Sequence, residues 1–328
     1  MNRIPKPAGA LLRTVAGALS PAGSRAGLLT LIFHRVVAEH DPMNADEPDA
    51  TEFAARLDLL GEIFQIMTLR EAAARMESGS LPARAACITF DDGYENNCSI
   101  AAKILAARGM SATFFIATGF LETGCMWNDV VIEAIRRCDA SLDLEALGLG
   151  RHDLPDDSAR ARLAGELLVK LKYLPQSNRL QLADAIAGAA GGATPRNLMM
   201  SEAQIRQLVD LGMEVGAHTV SHPILANLDD SAARQEICES KDRLEAITGS
   251  PVSSFAYPNG RPVRDYRAVH VRLVHEAGFH AAVSTAWGCA RSGTDRYQLP
   301  RVSPWDRTAT HYALRLVRSY VQGPAQLA

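Results

Sequence analysis

Several signatures are missing from this chain. Cys87, Cys98, Cys125, Cys138, Cys238 and Cys289 form no CxxC pair and no tight cluster, so they give no ground for a disulfide framework and fit a reducing compartment. No basic block with interleaved aromatics occurs, and the formal net charge is only −3, which removes the electrostatic reason to expect nucleic acid as a partner. No apolar run is long enough to span a membrane. The N-terminal apolar stretches Ala8–Leu12 and Val15–Leu19 are interrupted by Arg13 and Thr14, so they lack the continuous core of a secretory signal. There is no internal repeat and no low-complexity tract.

What remains is a 328-residue chain, 47% hydrophobic and 22% charged, typical of a soluble globular protein with a substantial core. Residues 1–27, with Arg3, Lys6 and Arg13, read as an N-terminal tail or an amphipathic leader. Residues 28–328 read as one domain. A cytoplasmic location is expected, with membrane association left open.

Short β-branched and aromatic runs recur at Leu28–Phe33, Cys87–Phe90, Ala112–Ile116, Met213–Ala217, Ser254–Ala256, Ala281–Ser284 and Leu299–Val302. Helical patterns lie between most of them: Thr51–Phe64, Asn97–Arg108, Ser201–Leu211, Ser231–Thr248, Asp265–Ala277 and Ala309–Val321. The clearest starts after Asp230 as N-cap, ends at Gly249, and carries Ile237, Leu244 and Ile247 on one face. Such alternation predicts a parallel sheet buried on both faces, with the site at the carboxyl ends of its strands. Periodicity does not choose between an open sheet and a barrel. One connection is long: about residues 120–200 hold the helix-like stretches Val130–Cys138, Ser158–Tyr173 and Asn178–Gly188, and read as a helical insertion over the catalytic face.

Two segments at strand ends carry the candidate chemistry, Thr89-Phe90-Asp91-Asp92-Gly93 and His218-Thr219-Val220-Ser221-His222. Together they offer one carboxylate and two imidazoles to a divalent metal, with a second carboxylate spare. Three protein ligands leave positions open for water and substrate, as in catalytic rather than structural zinc. Adjacent aspartates on a regular strand face opposite ways, but Gly93 permits a turn that brings both into one cavity. Pro223 disfavours α conformation at His222, so the two histidines belong to a strand-end loop rather than to a helix.

At these residues the chain resembles the polysaccharide deacetylases of the NodB-homology class, metal-dependent carbohydrate esterases. The Thr89–Gly93 segment looks like their first motif, and the His218–His222 segment like the second. Phe255-Ala256-Tyr257-Pro258-Asn259-Gly260 is similar to a variant third motif, F-A-Y-P-x-G. The likeness runs from about Leu28 to Asp306, apart from the insertion. It implies an α/β fold, a distorted (β/α) barrel of about seven parallel strands. It also implies hydrolysis of N-acetyl groups on the amino sugars of a polysaccharide or glycolipid precursor. Asp92, His218 and His222 are then the ligands of a divalent metal, Zn²⁺ first, and Asp91 is the base. A deacylase of a lipid-linked sugar, for example a deformylase, and a catalytically inactive glycan-binding protein are the alternatives.

The chain departs from the family twice. Ala256 stands where many members carry the arginine that orients the base, and Arg301, at the end of a late strand, is the candidate replacement. The late histidine acid is also missing, since Val302-Ser303-Pro304-Trp305 contains none. His34, closing the first strand, is the candidate general acid. Tyr257, Asn259 and a backbone N–H near Asn259 are assigned to substrate and oxyanion, and Trp127 to sugar stacking, with Trp287 and Trp305 as further aromatic candidates.

Overall fold

The computed structural model describes residues 6–122, 124–192, 196–303, 306, 308–322 and 327–328. Arg3, within the N-terminal stretch, lies outside them. Helix α1 (Lys6–Leu19) precedes strand β1 (Leu28–Phe33). Helix α2 (Ala50–Ile63), strand β2 (Gln65–Ile66) and helix α3 (Leu69–Glu77) lead to β3 (Ala85–Phe90). A π-helical turn, Asn97–Ala102, continues into α4 (Lys103–Ala106) and then β4 (Thr113–Ile116). Between β4 and the next sheet strand come α5 (Trp127–Arg137), β5 (Ser141–Leu144), β6 (Gly150–Asp153), α6 (Asp157–Leu171), α7 (Gln176–Ala189) and α8 (Glu202–Asp210). The chain then runs through β7 (Glu214–Ala217), α9 (Asp230–Thr248), β8 (Ser254–Ala256), α10 (Ala268–Glu276), β9 (Ala281–Val283) and α11 (Ala309–Ser319).

The main sheet is parallel, in the order β1-β3-β4-β7-β8-β9, with β2 also on β3. Leu299–Val302 bridges its two edges. Leu299 pairs with Val283 of β9 and Val302 with Leu31 of β1, both parallel, so the curled sheet closes as a distorted barrel. That segment, read as a full strand, is present as these two bridges.

Alternation splits each strand between two environments. Leu29, Leu31, Phe33, Phe90, Phe114 and Phe255 join the core beneath the helices, where the Phe90 and Phe114 rings stack at 4.8 Å. Each fully buried phenylalanine stabilises the fold by about 1.5–3 kcal/mol. The opposite face carries Cys87, Phe115, Ala256, Val283 and Leu299 toward the barrel interior. Glu214 is buried on this face, bonded by Thr113 and Ser254 hydroxyls.

Helix α9 has its N-cap one residue earlier than expected, at Asp229, whose carboxylate accepts from the Ala232 N–H. Gly249 closes it at a φ of 65°, and Ile237, Leu244 and Ile247 are buried. The stretch read as tail or leader holds α1, which docks on α2 and α11 through Leu12 and Ala16. The β4–α8 connection has a small core of its own, including Val131, Ile135, Leu167 and Ile186. Besides its helices it contains the antiparallel β5–β6 hairpin, which the helical reading did not anticipate. Among the described residues, no helix is long and apolar enough to cross a membrane.

Candidate metal and catalytic site

Strand parity delivers the first groups. Thr89 and Asp91 share the interior face of β3 and its extension, and Gly216 and His218 share that of β7. By the same rule Asp92 points toward the helices. It is turned back because Asp92 itself adopts a φ of 77°, followed by 91° at Gly93. Positive φ also occurs at Thr219 (66°), His222 (52°) and Asn259 (60°). Non-glycine residues held this way concentrate where a fold positions functional groups.

The result is a compact donor set. One ligand atom each from Asp92, His218 and His222 lie within 4.8 Å of one another. Asp92 Oδ1 is 3.5 Å from His218 Nε2 and 3.4 Å from His222 Nε2. His218 Nδ1 sits 2.7 Å from the Ala256 carbonyl, which can only accept, so Nδ1 carries a hydrogen and, in the neutral ring, Nε2 is the nitrogen left to ligate. Burial pushes His222 down to about 3, which leaves it a neutral imidazole, the form that ligates metal. Burial also pushes His218 downward, but Asp91 and Asp92 outweigh it and raise the group. Burial raises Asp92 as well, yet the neighbouring histidines hold it far below the usual carboxylate range. These are the marks of a site that draws in positive charge, and two imidazoles with a carboxylate fit a zinc-like divalent ion.

The loop bearing His222 is braced from α9. Glu236 accepts from the backbone N–H groups of Val220 and Ser221, both at 2.8 Å. Nothing in the sequence motif marks this residue. Replacing Glu236 by Ala leaves those amides without their acceptor and loosens His222, so the affinity of this donor set for a divalent cation such as zinc should fall about 10–100-fold. Zinc titration by calorimetry checks this; unchanged affinity would remove Glu236 from the account.

Asp91 is buried and clamped by Arg301. Nη1 donates to Oδ1 at 2.7 Å and Nη2 to Oδ2 at 2.8 Å, while Nε donates to the Ser284 carbonyl at 2.9 Å. The arginine expected as a replacement cation is therefore bidentate on the spare carboxylate. Burial raises the Asp91 pKa, but Arg301 and then His218 outweigh it and hold the carboxyl below its ordinary value. The cation-free third-motif position, Ala256, contributes its carbonyl to His218 instead.

A cavity of about 510 Å³ opens over these groups, with His34, Trp127, Asn259 and Thr285 in its wall. His34 is exposed there, and Trp127 is half-buried with the Arg179 guanidinium 5.1 Å from its ring. Tyr257 is not brought to this wall. It is fully buried, stacked on Tyr266 at 3.9 Å, and its hydroxyl donates to the Tyr297 carbonyl at 3.0 Å. The physical reason is parity: Tyr257 follows Phe255 on the helix-facing side. Trp287 lies apart from the cavity, its indole donating to Gln322 at 2.9 Å. Trp305 falls outside the described residues. Lys172, Arg179 and Arg261 also line the cavity, and sequence reading gave no signal for them.

Comparison with known proteins gives a consistent picture. The profile of the polysaccharide deacetylase family matches residues 78–167 and 176–282. YxkH of Bacillus subtilis, itself a candidate polysaccharide deacetylase, is 20% identical over 253 residues, covering 76% of this chain. The match spans 63% of that relative's length. Among solved structures, the deacetylase PplD of Streptococcus pyogenes, determined with acetate, superposes with a TM-score of 0.59 at 17% identity, covering 89% of this chain and 98% of that one. IcaB from Ammonifex degensii gives 0.59 at 18% identity, covering 91% and 98%. At these identities the two structures speak for the fold alone.

Proposed function

This chain belongs to the polysaccharide deacetylase family, hydrolases acting on N-acetyl groups, and from that premise we propose that it deacetylates amino sugars of a glycan or glycolipid in a metal-dependent reaction. The observation that carries the reading is the convergence of Asp92, His218 and His222 beside an arginine-clamped Asp91. Asp92, His218 and His222 would hold a divalent cation, zinc by their donor set, which would supply Lewis-acid polarisation of the acyl carbonyl and acidification of water.

The remaining chemistry is assigned to the chain's own residues. Asp91 takes the proton of the attacking water. Each of its oxygens accepts one bond from Arg301 and keeps a further lone pair, so the clamp fixes the carboxylate without blocking it. Because Arg301 keeps Asp91 ionised, the base is present throughout the neutral range. Asn259, in its left-handed conformation at the cavity wall, offers its N–H to the developing oxyanion. His34 delivers the proton that the departing amine requires, and its exposure suits exchange with solvent. Trp127 offers a ring face to the sugar.

Acetate release from N-acetylglucosamine oligomers and N-acetylated glycolipids, with zinc and other divalent metals supplied, tests the proposal. No release from any of them would overturn it. Replacing His34 by Ala should lower kcat about 10²-fold and flatten the basic limb of the pH–rate profile. An unchanged rate and profile would remove His34 from the mechanism.

A further inference from the structure

One wall of the cavity is cationic without an evident reason in amide hydrolysis. Lys172 follows α6, Arg179 lies on α7 and Arg261 follows the Asn259-Gly260 turn, and all three line the cavity that holds Asp92 and His222. Arg179 is the most informative of them. It is only 4% exposed and its Nε has no partner. Its Nη1 donates to the Lys172 carbonyl at 3.1 Å, and its guanidinium lies 5.1 Å from the Trp127 ring. No carboxylate pairs with it among the described residues. A guanidinium buried without a counter-ion is costly unless something else supplies negative charge.

The neighbouring groups do not supply it. Burial pushes the Lys172 ammonium down, and Arg261, Arg264 and Arg179 push it further, against only Asp265. Asp265 is itself buried, with Oδ2 accepting from the Arg261 N–H at 3.0 Å. Positive charge therefore exceeds negative charge on this side of the cavity.

We propose that Lys172, Arg179 and Arg261 form an anion subsite and that the substrate is an N-acylated amino sugar carrying a phosphate or pyrophosphate next to the reacting residue. The proposal rests on the deacetylase reading of the same cavity. Three cations match a phosphate monoester, with about −1.5 to −2 of charge, better than the single charge of a carboxylate. A purely structural Arg179, serving only the Lys172 carbonyl, would affect folding but not choose between charged and neutral sugars.

The test is calorimetric binding of N-acetylglucosamine 1-phosphate, neutral N-acetylglucosamine and N-acetylmuramic acid to the full chain and to Lys172→Met and Arg179→Met. The phosphate should bind at least about 30-fold tighter than the neutral sugar, falling as salt is raised, and each variant should lose about tenfold of that preference. Half-buried Lys172 keeps the test decisive if Arg179→Met does not fold. Equal binding of phosphate and neutral sugar, or a preference untouched in a folded variant, would overturn the subsite. Tighter binding of N-acetylmuramic acid than of the phosphate would overturn the phosphate assignment. Acetate release from neutral oligomers, measured in parallel, reports on the deacetylase reading separately.

Discussion

Replacing Asp91 by Asn is expected to lower acetate release about 10²–10⁴-fold while zinc still binds, because the substitution removes the base and leaves the ligands in place. The side chain keeps its volume but loses its charge. Its carbonyl accepts one bond from Arg301, and its amide nitrogen meets the second guanidinium N–H donor to donor. Arg301, wholly buried, is left without a counter-ion. Breaking a buried pair from one side costs about 3–5 kcal/mol, so a lower Tm accompanies the lost turnover. Zinc titration separates the two effects. Retained zinc binding with lost turnover assigns Asp91 to chemistry, whereas turnover equal to that of the native protein would exclude it as the base.

Replacing Arg301 by Met attacks the same pair from the other side. Asp91 then loses the main influence that holds its pKa down, while burial still raises it. Its pKa moves up, so the acid limb of the kcat/KM profile moves to higher pH and turnover at neutral pH falls. The stability effect has a defined sign. In the native protein Asp91 has a depressed pKa, so its contribution is full above the ordinary carboxylate value of 3.8 and is lost as pH falls through the folded value. The variant should therefore be about 3–5 kcal/mol less stable at neutral pH, with the deficit narrowing in acid. Arg301→Lys should recover only part of the loss, since an ammonium cannot reproduce the two parallel bonds. Denaturant unfolding across pH and rate profiles check this. An unmoved acid limb with unchanged stability would contradict the role given to Arg301.

How far the sequence was legible depended on what its neighbours could reveal. Asp91, Asp92 and Gly93 lie within three positions of one another, so the turn and the shared cavity could be read locally, although the left-handed residue extends to Asp92 itself. His218 and His222 were readable for the same reason, helped by Pro223. Arg301 lies 210 positions from Asp91 yet was traceable, because Leu299–Val302 reads as a strand ending at the same face. Tyr257 carries a usable signal of its own: period-two alternation places it with Phe255, away from the cavity.

The cationic wall was not legible. Lys172, just past α6, and Arg179, on α7, sit at positions that look solvated, and the packing of α5, α6 and α7 turns them toward the cavity. The β5–β6 hairpin was equally hidden. Its strands are four residues each, and their polar members Asp143 and His152 resemble loop composition.

In the proposed reaction, hydrolysis depends on a metal held by Asp92, His218 and His222. The most direct test of that dependence is to strip the protein with a chelator, titrate zinc back by calorimetry, and follow acetate release from an N-acetylated amino sugar in the native chain and in His218→Ala. Stoichiometric zinc binding with activity restored in step is expected of the native chain, and loss of both in the variant. Full acetate release from the stripped protein, or equal zinc binding and turnover in His218→Ala, would contradict it.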